Sequence, residues 1–202
     1  MEHIEKIIYI NLEDRVDRKD LLLKELSIIP DIDNKLIRFN AIKDKKHGAI
    51  GCSKSHIKCL EMAIENNWKN VLIIEDDIIL YNYKNSINLL NELILKPYDV
   101  ILLGGTFINF DTNTYKLYSG KAASSYLVSS HYYNILLENF KEGLHKLERT
   151  MILESYCIDV YWNELQRKNN WYIVNPALMI QRDSYSDIEK QNVNYSNYYN
   201  II

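Results

Sequence analysis

The chain contains 202 residues with a mass of 23.9 kDa, of which 47% are hydrophobic and 25% charged. This composition is close to that of globular proteins and excludes wholesale disorder, and the length predicts one domain. The 24 basic and 27 acidic residues give a net charge of −3. That balance argues against a general nucleic-acid-binding protein, because such proteins neutralise phosphates with basic side chains.

Cysteine usage and hydropathy bear on where the protein works. The three cysteines form no C-x-x-C pair and show no zinc spacing with histidine, which favours a reducing compartment. No apolar run approaches the ~18 residues of a membrane span. The polar start of the chain leads directly into a strand pattern, so we expect no signal peptide. We therefore expect a cytoplasmic protein.

Apolar runs alternate with helical patterns along the chain, which predicts an α/β fold with a central sheet and crossover helices. In chain order, strands are predicted at residues 6–12, 37–39, 71–74, 99–103, 172–174 and 178–180, and residues 106–128 are strand-like and rich in turns. Helices are predicted after residue 18, at 53–67, through 89–95, near 133–140 and at 157–167. Residues 1–190 form the predicted domain, and the Asn/Tyr-rich tail at 191–202 is left unassigned.

The strand at 71–74 ends in three consecutive acids, Glu75, Asp76 and Asp77. Ligands bind beyond the carboxyl ends of strands in an open α/β sheet, and adjacent carboxylates repel one another unless a cation offsets their charge. Oxygen ligands suit Mg²⁺ or Mn²⁺ together with phosphates. In an extended backbone Glu75 and Asp77 point to the same side, which makes them candidate metal ligands. A solvated turn with an acidic helix cap explains the same residues.

Response-regulator receiver domains also carry acids after a short strand, and residues 98–104 resemble their phosphoacceptor strand. Gly104, however, stands where the phosphoacceptor aspartate belongs. The acids also come too late in the chain and too close to residue 104 for that fold, so we exclude this class.

Two basic residues and a glycine-rich segment are candidate anion sites. Arg15 and Arg18 are three residues apart at the predicted start of a helix, where they would share a face and suit a phosphate or a base. Ser55 and His56 follow two glycines at another helix start, where free N–H groups favour an anion. Surface ion pairs for the arginines, and capping and packing roles for Ser55 and His56, explain these residues as well.

Glu154 and Asp159 lie before or within an amphipathic segment. A carboxylate placed near an acceptor hydroxyl could serve as a general base. Ordinary surface acids are the simpler explanation of this segment by itself.

Together and in this order, the segments resemble glycosyltransferase family 25 over residues 7–189. The matching motifs are Ile8-Tyr-Ile-Asn-Leu with Arg15 and Arg18, Arg38-Phe-Asn-Ala41, Gly51-Cys-x-x-Ser55-His56, Glu75-Asp76-Asp77, Tyr98-Asp-Val-Ile-Leu-Leu-Gly, Ser125-Tyr-Leu-Val-Ser, Ile158-Asp159-Val, Pro176 and Ser186-Asp-Ile.

The resemblance implies a GT-A-like, Rossmann-type nucleotide-sugar-binding fold with a mostly parallel central sheet flanked by helices. It implies that Glu75 and Asp77 hold Mn²⁺ or Mg²⁺ against the diphosphate of a UDP-sugar, with Gln181 or Asp183 completing the ligand set. The implied nucleotide-sugar-binding residues are Asn11, Leu12, Arg15, Arg18, Ser55, His56 and Asp76. It implies that Asp159, with Glu154 as the second choice, is the catalytic base.

The resemblance also implies the substrates. A hexose, galactose or glucose, would pass with inversion from a UDP-sugar to a hydroxyl of a glycan, glycolipid or hydroxylysine-type glycoprotein acceptor, as in lipopolysaccharide biosynthesis. We expect a member from a bacterium or a large DNA virus, without a nucleic-acid partner. The basic loop at residues 43–46 could touch an anionic membrane surface. The alternative is a non-catalytic relative that binds a nucleotide sugar or a glycan.

Overall fold

The computed structural model describes residues 1–186, 188 and 190–199. Its strands are β1 (Lys6–Asn11), β2 (Leu36–Asn40), β3 (Asn70–Glu75), β4 (Ile78–Leu80), β5 (Val100–Leu102), β6 (Thr106–Phe110), β7 (Leu117–Lys121), β8 (Ser125–Ser129), β9 (Trp171–Ile173), β10 (Met179–Gln181), β11 (Ser184–Ser186) and β12 (Gln191–Val193). Its helices are α1 (Val16–Leu26), α2 (Gly48–Glu65), α3 (Tyr83–Ile94), α4 (Tyr133–Thr150), α5 (Leu153–Tyr156), α6 (Ile158–Tyr161) and α7 (Asn163–Lys168).

The central sheet has six strands in the order β2-β1-β3-β8-β5-β9. The β2–β1, β1–β3 and β5–β9 pairs are parallel, whereas β8 runs antiparallel to both of its neighbours. The predicted α/β class with a mostly parallel sheet is therefore confirmed. Because β1 and β3 are parallel neighbours, their carboxyl ends meet at the same edge of the sheet.

Helices cover both faces of this sheet. Alternate side chains of β3 point to opposite faces, so Val71 and Ile73 pack with α2 and α4, while Leu72 and Ile74 pack with α1 and α3. All four side chains are fully buried. Burial on both faces explains why this strand is a continuous apolar run rather than an alternating pattern.

Some predicted boundaries differ from the structure. Helix α2 begins at Gly48 rather than at residue 53, because the ring nitrogen Nδ1 of His47 accepts a hydrogen bond from the Ala49 amide and caps the helix. Helix α4 continues to Thr150, since its buried face extends through Leu147. The helix predicted at 157–167 is divided into α6 and α7, which are separated by Trp162.

Short accessory strands close the edge of the sheet where β1 and β3 end. Strand β10 pairs antiparallel with β4, which places Gln181 opposite Ile78. Strands β11 and β12 form a hairpin, and Tyr199 of the tail is buried in a cluster with Ala122 and Ile180. The tail that the sequence left unassigned thus packs beside the acidic segment. No helix of the described residues is both long and apolar enough to span a bilayer.

Candidate active site

A pocket of about 340 Å³ lies at the carboxyl ends of β1 and β3. Leu12 and the three acids form one part of its wall, and the loop at 41–47 with the first turns of α2 forms another. Gln181 and the segment of the β11–β12 hairpin complete the pocket wall. Of the residues expected to form the site, the pocket wall contains Leu12, Arg15, Arg18, Ser55, Glu75, Asp76, Asp77 and Gln181.

Asp76 is held in place by side chains of β1 and α1. Its Oδ2 accepts a hydrogen bond of 2.7 Å from Asn11 Nδ2, and its Oδ1 lies 3.1 Å from Arg18 Nη1. Burial raises the pKa of Asp76, and the contacts from Asn11 and Arg18 oppose that rise. Asn11 is 1% exposed and its Oδ1 accepts from Arg38 at 3.0 Å. The structure therefore uses the Asn11 side chain to position Asp76.

Asp77 has an unsatisfied carboxylate oxygen. Its Oδ1 is buried and has no hydrogen-bond partner among the described residues, while its Oδ2 lies 3.7 Å from Arg18 Nη1. Burial first, and then the charge of Glu75, raise the pKa of Asp77 to about 7, although Arg18 and a hydrogen bond from Gln181 lower it. A buried, unpaired carboxylate oxygen beside an amide suits a hard divalent cation, which binds through oxygen atoms.

Glu75 turns toward α2. Its Oε1 lies 3.5 Å from Cys52 Sγ and 3.3 Å from His56 Nε2. Burial disfavours the charge of Glu75, but the hydrogen bonds from His56 and Cys52 outweigh it and lower the pKa of the carboxylate. Glu75 and Asp77 both line the pocket, yet their carboxylates have different partners.

The side chains of Ser55 and His56 make hydrogen bonds within the protein. Ser55 Oγ donates to the Gly51 carbonyl and accepts from the Ile42 amide, both at 2.8 Å, so it ties the loop at 41–47 to α2. A Cβ atom at Gly51 would overlap the Ile42 carbonyl oxygen, which explains the glycine. His56 Nδ1 lies 2.8 Å from the hydroxyl of Tyr126.

The two arginines differ in their surroundings. Arg15 pairs with Asp17 at 2.9 Å on the rim of the pocket. The Arg18 side chain is only 13% exposed, and it also donates to the Tyr185 carbonyl at 2.5 Å. Arg18 therefore links α1, the acids and the hairpin. Lys45, in the loop at 41–47, adds a cation to the pocket wall.

Asp159 and Glu154, the two candidate bases, are separated by the structure. Asp159 Oδ2 accepts a hydrogen bond of 3.2 Å from the Ala122 amide. Burial raises the pKa of Asp159 and the charge of Glu75 adds to that rise, while the Ala122 hydrogen bond opposes it. Glu154 is exposed on α5. Among the described residues, neither acid lines the pocket of about 340 Å³.

The tail supplies a residue that sequence reasoning missed. Tyr199 is 4% exposed, and its hydroxyl lies 3.3 Å from Ser124 Oγ. Burial raises the pKa of Tyr199, and the charges of Asp77 and Glu75 add to that rise. No local pattern in the tail could have indicated this position.

Asp183, the alternative to Gln181 as a metal ligand, instead accepts hydrogen bonds from Ser196. Asp187 of the Ser186-Asp-Ile motif lies outside the described residues.

A mostly parallel α/β sheet with an acidic pocket at its strand ends is the arrangement of a GT-A-like fold. The sequence profile of glycosyltransferase family 25, described as an LPS biosynthesis protein, matches residues 46–158, more than half of the chain. The chain belongs to this family, and it is a glycosyltransferase. No curated protein matches it by sequence.

A similar solved structure is a glycosyltransferase involved in the glycosylation of the major capsid of PBCV-1. The two share 9% identity with a TM-score of 0.57, and the match covers 87% of this chain and 92% of that one. Similarity at this level of identity shows a common fold. The glycosyltransferase GlyE of Streptococcus pneumoniae TIGR4 is more distant, with 11% identity, a TM-score of 0.49, and coverage of 85% of this chain and 45% of that one.

Proposed function

We propose that the chain transfers a hexose, galactose or glucose, from a UDP-sugar to a hydroxyl of a glycan, glycolipid or glycoprotein acceptor, with Mn²⁺ or Mg²⁺ as the cofactor. The Oδ1 atom of Asp77, buried and without a partner in the described part of the chain, carries this proposal. It lies in a pocket that combines carboxylates with a basic loop, and such a combination suits a diphosphate together with a divalent cation.

The oxygen atoms available at the acidic segment suit a hard divalent cation. Asp77 and Gln181 offer oxygen atoms in the pocket wall, and Glu75 adds a carboxylate that it shares with α2. A bound divalent cation would stabilise the negative charge that develops on the leaving diphosphate. Asp76 contacts Asn11 and Arg18, and these contacts help to fix the position of the acidic segment that carries the proposed metal ligands.

The opposite wall supports a nucleotide diphosphate. Arg15 from the end of β1 and the lysines of the loop at 41–47 bring positive charge to the pocket. Ser55 holds this loop against α2 through the Ile42 amide. We therefore assign phosphate contacts to Arg15 and the loop. Ser55 lies in the pocket wall, and Asn11 and His56 lie behind it, where they contact Asp76 and Glu75.

Asp159 is the proposed base. Its raised pKa makes the carboxylate a better proton acceptor than a solvated aspartate. Asp159 would take the proton of the acceptor hydroxyl while the acceptor oxygen forms a bond to C1 of the hexose. The bond from C1 to the UDP oxygen breaks with its electron pair on the diphosphate, and the anomeric configuration inverts. The exposure of Glu154 favours Asp159 over it.

The test is release of UDP from UDP-galactose and UDP-glucose with Mn²⁺, combined with thermal shifts for UDP binding. We expect Asp77→Asn and Glu75→Gln to abolish release, and Asp20→Asn, an exposed acid on α1, to leave it intact. Failure of the wild-type chain to bind UDP with or without Mn²⁺ would overturn the proposal. Binding without turnover for every acceptor tried would identify the chain as the non-catalytic relative.

A further inference from the structure

Cys52, His56 and Glu75 bring three different metal-binding groups together beside the pocket, whose wall includes Cys52 and Glu75. One ligand atom from each lies within 4.8 Å of the other two. Cys52 and His56 are four residues apart on α2, so they share one face of the helix. Glu75 reaches them from the end of β3. A spacing of four residues on a helix is one that zinc proteins also use for paired ligands.

Two of the three distances in this cluster fit a tetrahedral ion. Zinc bonds of about 2.3 Å to sulfur and about 2.0–2.1 Å to nitrogen or oxygen separate neighbouring ligand atoms by roughly 3.3–3.6 Å. Glu75 Oε1 lies 3.5 Å from Cys52 Sγ and 3.3 Å from His56 Nε2. These two separations match two edges of such a tetrahedron, and the third, between Cys52 and His56, is no longer than 4.8 Å and would shorten on binding.

The surroundings of the cluster also suit a metal. The His56 ring is fully buried, and its Nδ1 contacts the hydroxyl of the buried Tyr126 at 2.8 Å. A hydrogen bond at the other ring nitrogen is the usual way to fix the orientation of a ligating histidine. Cys52 and Glu75 line the pocket, so the fourth coordination position would face the cavity, and an ion could arrive from there.

We propose that Cys52 Sγ, His56 Nε2 and Glu75 Oε1 form a binding site for a thiophilic divalent cation of the zinc class. On binding, the Cys52 thiol gives its proton to solvent, and His56 carries its proton on Nδ1, toward the Tyr126 hydroxyl, so that the lone pair of Nε2 is free to ligate. The thiolate and the Glu75 carboxylate then balance the two positive charges. Sulfur and imidazole ligands favour zinc, whereas the oxygen ligands at Asp77 favour Mn²⁺ or Mg²⁺. The two sites share Glu75, so zinc competes with the proposed cofactor for one carboxylate.

The experiment is a titration of the full chain with Co²⁺, followed by the sulfur-to-cobalt charge-transfer absorption. We expect the band to saturate at one ion per chain and to be lost on addition of Zn²⁺. Cys52→Ser should abolish the band, and Cys157→Ser is the matched control that should keep it. Tyr126→Phe should weaken binding by about 10–100-fold, because it frees the orientation of His56.

Zinc-edge X-ray absorption on the wild-type chain gives a readout that needs no variant. We expect one sulfur at about 2.3 Å among nitrogen and oxygen ligands. A shell without sulfur, a missing cobalt band, or a band that survives Cys52→Ser in a chain folded by circular dichroism would overturn the proposal. These readouts require neither a nucleotide sugar nor turnover, so failure here is distinct from failure of the proposed function.

Discussion

Arg18 and Asp76 form an ion pair at 3.1 Å whose side chains are only 13% and 9% exposed. The pair joins α1 to the end of β3, and the same guanidinium also reaches the backbone of the hairpin at Tyr185. The geometry of the acidic segment therefore depends on a helix that comes much earlier in the chain.

The first prediction concerns this pair. We expect Arg18→Met to lower the free energy of unfolding by about 3 kcal/mol, because it leaves Asp76 and Asp77 without their shared cation in a buried setting. Urea denaturation measures the loss. Arg167→Met, at an exposed position on α7, should change the stability by less than about 0.5 kcal/mol. Equal effects of the two substitutions would contradict the structural role of Arg18.

The second prediction is a pH dependence from Asp77 in the absence of metal. The pKa of Asp77 is raised from 3.8 to about 7, so between these values the folded chain holds a proton that the unfolded chain has lost. The contribution of Asp77 to stability is therefore full below the lower value and declines as pH rises toward the upper one. Compared with Asp77→Asn, the wild-type chain should lose stability over this window.

Denaturation curves of both chains at a series of pH values measure this difference. Since the amide introduced by Asp77→Asn does not titrate, subtracting the two profiles isolates the carboxyl group. A difference that increases in favour of the wild-type chain as pH rises would mean that Asp77 is ionised and stabilised in the metal-free protein.

The third prediction concerns the loop at 41–47. Ser55→Ala removes the oxygen that accepts the Ile42 amide, and we expect a cost of about 1 kcal/mol and faster hydrogen exchange at that amide. Ser53→Ala is the matched control, because Ser53 Oγ donates to the Ala49 carbonyl of its own helix. Unchanged exchange at Ile42 in the Ser55 variant would show that another contact holds the loop.

The fourth prediction separates the candidate bases by activity. We expect Asp159→Asn to reduce kcat by about 10²–10⁴-fold while binding of the UDP-sugar persists, because only the proton transfer is removed. Glu154→Gln should have little effect, since Glu154 is exposed on α5. Steady-state kinetics with the acceptor varied provide the comparison. A larger loss for Glu154→Gln would transfer the role to that residue.

Local sequence patterns predicted the strand at 71–74 and the acids after it, because a strand buried on both faces requires a continuous apolar run, and polar side chains begin where that run ends. The same patterns missed the second half of α4. In that half few residues are apolar, and the helix is held by the packing of a few buried positions such as Leu147. They also left β8 within a turn-rich region, because nothing local indicates that Ser125–Ser129 enters the sheet between β3 and β5.

At the site, sequence order identified the segments but not their contacts. Asn11 and His56 were expected to contact the nucleotide sugar. In the structure the Asn11 side chain contacts Asp76, and the His56 side chain contacts Glu75. Sequence reasoning assigned no individual role to Cys52, which entered only as part of the motif at 51–56. Its contact with Glu75 arises from the packing of α2 on β3, and no local pattern predicts it.

The sequence alone determined the fold class, the family resemblance and the presence of three acids at a strand end, since these follow from periodicity and from the order of motifs. Only the tertiary structure decided which acid is paired, which oxygen is left without a partner, and that Tyr199 packs nearby. The reason is that these contacts join residues far apart in the chain, and their distances depend on how the helices and the tail pack around the sheet.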